Sequence, residues 1–129
     1  MKPTLTDLLG EAITDIRALQ GPVVQVCGPI TTGGHGSVAA NIAALRTAIE
    51  YLQAHNIAVF DQTKYEEPFK RILDNSRSYD ERVLHEFYEP LFVNGHINEL
   101  VFLPRWQSSF GARWEHERGK VHGLAIHYW

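Results

Sequence analysis

The segment Leu103-Pro104-Arg105-Trp106-Gln107-Ser108-Ser109-Phe110-Gly111-Ala112-Arg113-Trp114-Glu115-His116-Glu117 holds the residues with most chemical promise. Ser109 is a good helix N-cap, which puts Glu115 in the second turn of the helix it starts. There the positive end of the helix favours an ionised carboxylate, as a nucleophile requires. Glu115, His116 and Glu117 also read as a plain solvated helix face. Glu117 cannot share a pocket with Glu115, because two residues along a helix turn a side chain by about 200°. A second stretch, Cys27-Gly28-Pro29-Ile30-Thr31-Thr32-Gly33-Gly34, can bring bare backbone close to a ligand. It matches neither a P-loop nor a dinucleotide fingerprint, and no lysine follows where a P-loop needs one. It is either an anion cradle or an ordinary tight turn.

These residues need elements to hold them. Leu5, Leu8, Leu9, Ala12, Ile13, Ile16 and Leu19 recur at three- and four-residue steps, predicting an amphipathic helix capped by Thr4 or Thr6 and ended by Gly21-Pro22. Val23 to Cys27 reads as a first strand. Ser37 caps a helix striped by Val38, Ile42, Leu45, Ile49 and Leu52, and Ile57 to Phe60 follows as a second strand closed by Asp61. Pro68 opens a short helix to Leu73, and Asn75 to Ser78 suggests a turn. Tyr79 to Phe92 reads as a helix that Pro90 must kink or end. Leu100 to Leu103 is a third strand, Ser109 to Val121 a helix punctuated by Gly123, and Leu124 to Tyr128 a last strand.

Strands alternating with helices imply one α/β domain over residues 1–129, with an N-terminal helix (1–21) and a core (22–129). The expected fold is a small doubly wound, flavodoxin-like or Rossmann-like parallel sheet, ordered second, first, third, fourth, with helices on both faces. Ligands of such sheets bind beyond the carboxyl ends of the strands, where the strand order reverses. The glycine-rich loop and the loop Trp106 to Gly111 both fall there, and each opens a helix whose N–H groups suit a phosphate.

The stretch from Leu103 to Glu115 resembles the nucleoside 2-deoxyribosyltransferase superfamily, with its deoxynucleoside monophosphate N-glycosidase and cytidylate hydrolase branches. The likeness lies in a small polar residue followed by Gly-x-x-x-Glu after the third strand, here Ser109, Gly111 and Glu115. Cys27-Gly28-Pro29-Ile30 with Gly33-Gly34 is similar to the family's loop facing phosphate and sugar, so the resemblance spans roughly residues 22 to 128. It implies hydrolysis or transfer at the N-glycosidic bond of a nucleoside or nucleoside 5′-monophosphate, without cofactor or metal. Glu115 would be the nucleophile of a retaining mechanism. Gly28, Pro29, Ile30, Gly33, Gly34, Ser108, Ser109 and Gly111 would contact the substrate. The family's acid on the helix before the third strand would be Glu89, with Asp61 as a rival that could instead touch the base. Two positions depart from the family pattern, Gln25 for a tyrosine on the first strand and Asn98 for an aspartate opening the third. They keep open an alternative, a nucleotide-binding or sensing protein of the same fold without turnover.

Composition bounds the rest. A formal charge of -3 gives no footprint for gripping a nucleic acid polymer. The single cysteine, Cys27, lies in an apolar run and reads as a buried thiol in a reducing compartment. No stretch has the length of a membrane span or the form of a signal peptide, so the expectation is a cytoplasmic protein. His116, His122 and His127 cluster without partners at metal-ligand spacing. The aromatic run His127-Tyr128-Trp129, and the family habit of completing a pocket from a neighbouring chain, suggest a homodimer or larger assembly.

Overall fold

The computed structural model describes residues 3–30, 33–73 and 79–129. It is a mixed α/β structure around a small parallel sheet. The elements are α1 (Leu5–Arg17), β1 (Val24–Cys27), α2 (Val38–Ala54), a 3-10 turn (Gln62–Tyr65), α3 (Glu66–Leu73), α4 (Tyr79–Val83), a wider π-helical turn (Leu84–Tyr88) and α5 (Glu89–Val93). The chain continues through β2 (Glu99–Phe102), a 3-10 turn (Trp106–Ser108), α6 (Phe110–Val121) and β3 (Ala125–Tyr128).

β2 lies in the middle, parallel to β1 and β3, with Val24 opposite Glu99 and Glu99 opposite Ala125. The strand expected at Ile57 to Phe60 is reduced to one bridge, Val59 beside Val24 on the free edge of β1. Val24 donates to Ala58 and accepts from Phe60, both at 2.9 Å, and then the segment leaves the sheet. Asp61 is the reason, because its carboxylate takes the Thr63 N–H and caps the 3-10 turn instead of extending the strand.

The caps follow the sequence. Thr4 and Asp7 form a reciprocal capping box on α1. Ser37 caps α2 through the Ala40 N–H, and Ser109 caps α6 through the Ala112 N–H at 3.2 Å. Pro90 does not break its helix. The preceding turn widens to the π form, and the proline sits in the first turn of α5, where its missing N–H is harmless. The turn expected at Asn75 to Ser78 lies outside the described residues.

Strand residues alternate between two apolar clusters, as pleating demands. Val26 and Leu103 pack with Leu45, Ala48 and Ile49 of α2. Val23, Cys27, Leu100 and Phe102 pack on the other side with α1, α3, the π-helical turn and α5. Asn98 is a structural clamp: its Oδ1 accepts the Val23 N–H at 2.8 Å and ties the start of β1 to β2. Among the described residues no helix is long and apolar enough to cross a membrane.

Candidate active site

A cavity of about 60 Å³ opens at the carboxyl ends of β1 and β2. Gly28 and Ile30 follow β1 into it; Ser109, Gly111, Ala112 and Glu115 enter from the first two turns of α6. Gln62 and Glu66 come from the segment after Val59, and Val83, Leu84 and Tyr88 supply an apolar wall. Two carboxylates therefore share one small space, and both are more than nine-tenths buried.

Glu115 is held from beneath. Gln25 Nε2 donates to Glu115 Oε2 at 2.5 Å and also reaches the Cys27 sulfur at 3.6 Å. Gln25 and Cys27 are alternate residues of β1 and so present to the same face, under α6. Burial dominates the electrostatics: it lifts the Glu115 carboxyl to about 8, against the opposing pull of hydrogen bonds from Gln25 and Cys27. The negative charge of Glu66 pushes in the same direction as burial. The helix end thus does not keep Glu115 ionised, contrary to the expectation from position alone, because desolvation outweighs a dipole effect of about 1 kcal/mol. Burial and the nearby Glu115 charge raise the Cys27 thiol well above its ordinary range, so it stays protonated.

Glu89 is not brought to this cavity. Arg118 grips it through two nitrogens, at 2.6 and 3.3 Å, and His122 Nε2 lies 3.3 Å from the same carboxylate. The Arg118 guanidinium holds Glu89 below the usual carboxylate range, the reverse of what a proton donor needs. Its place beside Glu115 is taken by Glu66. Asp61 is likewise absent from the cavity, its carboxylate occupied by the Thr63 backbone and hydroxyl at 3.0 and 2.5 Å. The next residue, Gln62, faces inward instead.

The glycine loop sits beside the cavity and is built by close contact. Gly33 and Gly34 have φ of +68° and +72°, where only glycine is at ease. A Cβ on Gly33 would overlap the Ser108 carbonyl, and one on Gly34 would lie 2.6 Å from Pro29 Cβ. Ser108 Oγ accepts the Gly34 N–H at 3.0 Å and donates to the Arg105 carbonyl at 2.6 Å, binding the two loops together. Asn41, buried on α2, completes the tie. Its amide donates to the carbonyls of Ile30 and Gly33 and accepts the His35 N–H at 2.8 Å. Gly33, Gly34, Ser37, Asn41 and Ser108 line a groove of their own over the start of α2. Pro29 faces away, into a wider cleft with Arg105 and Trp129.

The three late histidines separate. His116 stacks on Trp106 at 4.3 Å and reaches the Tyr128 hydroxyl, His122 meets Glu89, and His127 meets Glu99 at 2.7 Å. Trp106 and Trp114 pack against the core, while Trp129 lies edge-on to Tyr51 and half exposed.

Gln25, Gln62, Glu66 and Asn41 are the polar residues that sequence reasoning passed over as site components. One signal was available for Gln25, a polar side chain in an otherwise apolar strand. Comparison of the chain with protein-family models, curated proteins and solved structures returns no match. The geometry therefore stands by itself.

Proposed function

We propose that the chain is an enzyme of glycosidic bonds that works through a buried carboxylate nucleophile. Within that class we read it as an N-glycosidase or deoxyribosyltransferase acting on a nucleoside or its 5′-monophosphate. The observation that carries the reading is Glu115, four residues after Gly111, lining a cavity at the strand ends with one oxygen held by Gln25. The sheet, in the same reading, is a pared-down doubly wound one, with Val59 standing for its missing strand.

The chemistry balances with the groups at hand. A Glu115 oxygen adds to the anomeric carbon while the C–N bond breaks, and its electron pair leaves with the base. Glu66, the second carboxyl in the cavity, takes over the proton that Glu115 carries in the free protein and donates it to the departing base. Water then adds to the anomeric carbon, giving up a proton to Glu66, and the Glu115 carboxylate is released. A second base in place of that water would make the enzyme a transferase. The groove of Gly33, Gly34, Ser37 and Ser108 suits a 5′-phosphate, since it lies at the N-terminal end of α2, the end of a helix that attracts an anion.

A second reading, a nucleotide-binding protein without turnover, draws support from the raised proton affinity of Glu115, which leaves the carboxyl mostly neutral at pH 7. One experiment separates the two. The protein is incubated at pH 7 to 9 with nucleosides and their 5′-monophosphates, and free base is measured by chromatography. Release of base that Glu115→Gln abolishes supports the enzyme. Saturable binding with no base released at any pH refutes it and favours the binding protein.

A further inference from the structure

Gln62 carries an acceptor that the protein leaves unmet. The residue is 2% exposed. Nε2 donates to the Val26 carbonyl at 2.5 Å, while Oε1 has no hydrogen-bond partner. Turning the amide over does not cure this, because Oε1 would then meet the Val26 carbonyl oxygen, acceptor against acceptor. The backbone of β1 therefore fixes Oε1 as the unmet end of a side chain that lines the cavity. Among the described residues the other amide in this state is Gln25, which does not line the cavity. Ser109 Oγ accepts the Ala112 N–H and donates nothing to Gln62. What enters must therefore bring a donor to Gln62.

The space also limits what enters. About 60 Å³ has no room for a whole nucleoside, so only the part that meets Glu115 lies inside. The inference rests on the reading proposed above, in which Glu115 attacks an anomeric carbon. The part of the substrate inside the cavity is then the sugar, and the donor next to the attacked carbon is a hydroxyl on the adjoining one. We propose that Gln62 accepts a hydrogen bond from the sugar 2′-hydroxyl, so that the chain acts on ribonucleosides or their 5′-monophosphates in preference to 2′-deoxyribonucleosides. A deoxy sugar would leave the Gln62 oxygen as the free protein has it, buried and unpaired.

The test compares matched cytidine, uridine, adenosine and guanosine 5′-monophosphates with their 2′-deoxy and arabinosyl counterparts. For the base that is cleaved, kcat/KM for the ribonucleotide exceeds that for the deoxynucleotide by about tenfold or more. The arabinosyl compound, whose 2′-hydroxyl points to the opposite face, behaves like the deoxy one. Gln62→Met removes the acceptor at similar length and brings the ribo-to-deoxy ratio towards one. A parent protein that cleaves the deoxynucleotide as fast as the ribonucleotide overturns the assignment, whether or not the variant folds. Failure to cleave anything would sink the catalytic reading, and Gln62 is then judged by binding. Calorimetry with ribose 5-phosphate and 2-deoxyribose 5-phosphate supports the assignment if ribose binds tighter, and equal affinity or no binding overturns it.

Discussion

Replacing Glu115 by glutamine should stabilise the protein, and by an amount that depends on pH. The carboxyl titrates near 4.5 in an unfolded chain and at about 8 in the folded one. Between those values the folded state holds a proton that the unfolded chain has released, so stability falls as pH rises through the window. At about 1.36 kcal/mol for each tenfold in proton affinity, the loss approaches roughly 5 kcal/mol above pH 8. It is roughly 3 kcal/mol at pH 7 and under about 1 kcal/mol at pH 5. Glutamine has nearly the same shape, can still accept from Gln25, and carries no charge to desolvate. Urea titrations followed by fluorescence of the three tryptophans at pH 5, 7 and 9 give the comparison. The variant midpoint should lead the parent slightly at pH 5 and widely at pH 9, with similar slopes. Parallel stability curves across the whole range would refute the claim that Glu115 is buried and held protonated.

Activity, where it is found, should fall as pH rises through about 8, because the one proton that Glu115 and Glu66 hold between them is then lost and the departing base has no donor. Glu66→Gln, which removes a neighbouring negative charge, should move that fall to lower pH while slowing departure of the base. Gly34→Ala should cost more than about 2 kcal/mol in a urea titration, since both the positive φ and the contact with Pro29 oppose a Cβ. Glu89→Gln should cost roughly 1 kcal/mol or less, its bond to Arg118 being part-exposed, and should leave the pH of half-maximal activity in place. β3 forms an outer edge of the sheet and exposes Tyr128 and Trp129, 60% and 51% accessible, so light scattering is expected to return a multiple of 14.7 kDa; a monomer at micromolar concentration contradicts this.

Local physics made much of the fold legible. Thr4, Ser37 and Ser109 announce their helices because capping is a contact within four residues, and the apolar stripes announce which faces are buried. The π-helical turn before Pro90 was not legible, since a kink, a stop and a widened turn all relieve the same missing N–H. The segment ending at Phe60 has the residues of a strand, but whether it pairs along its length depends on how soon Asp61 diverts the chain. The site divides in the same way. Glu115 was visible from its spacing to Ser109 and Gly111, whereas its partners were not. Glu89 and Glu66 are both acids on short helices; Arg118, one turn beyond Glu115, captures the first, and the fold delivers the second. Asp61 and Gln62 are neighbours, and only the backbone turn decides which points inward.

The sheet also has a consequence in time. β1 pairs with β2 across the whole stretch between Val24 and Glu99, and the Gln25–Glu115 bond joins residues 90 apart in sequence. Closing loops of that span costs entropy before any pairing repays it. Folding should therefore be slow for the size of the chain, with the π-helical turn and its neighbours collapsing before the parallel pairs form. While a nascent chain emerges, β1 must wait, apolar and unpaired, until β2 and α6 have been made. The amide that grips Glu115 is thus in place early, but the cavity closes around it only near the end of folding.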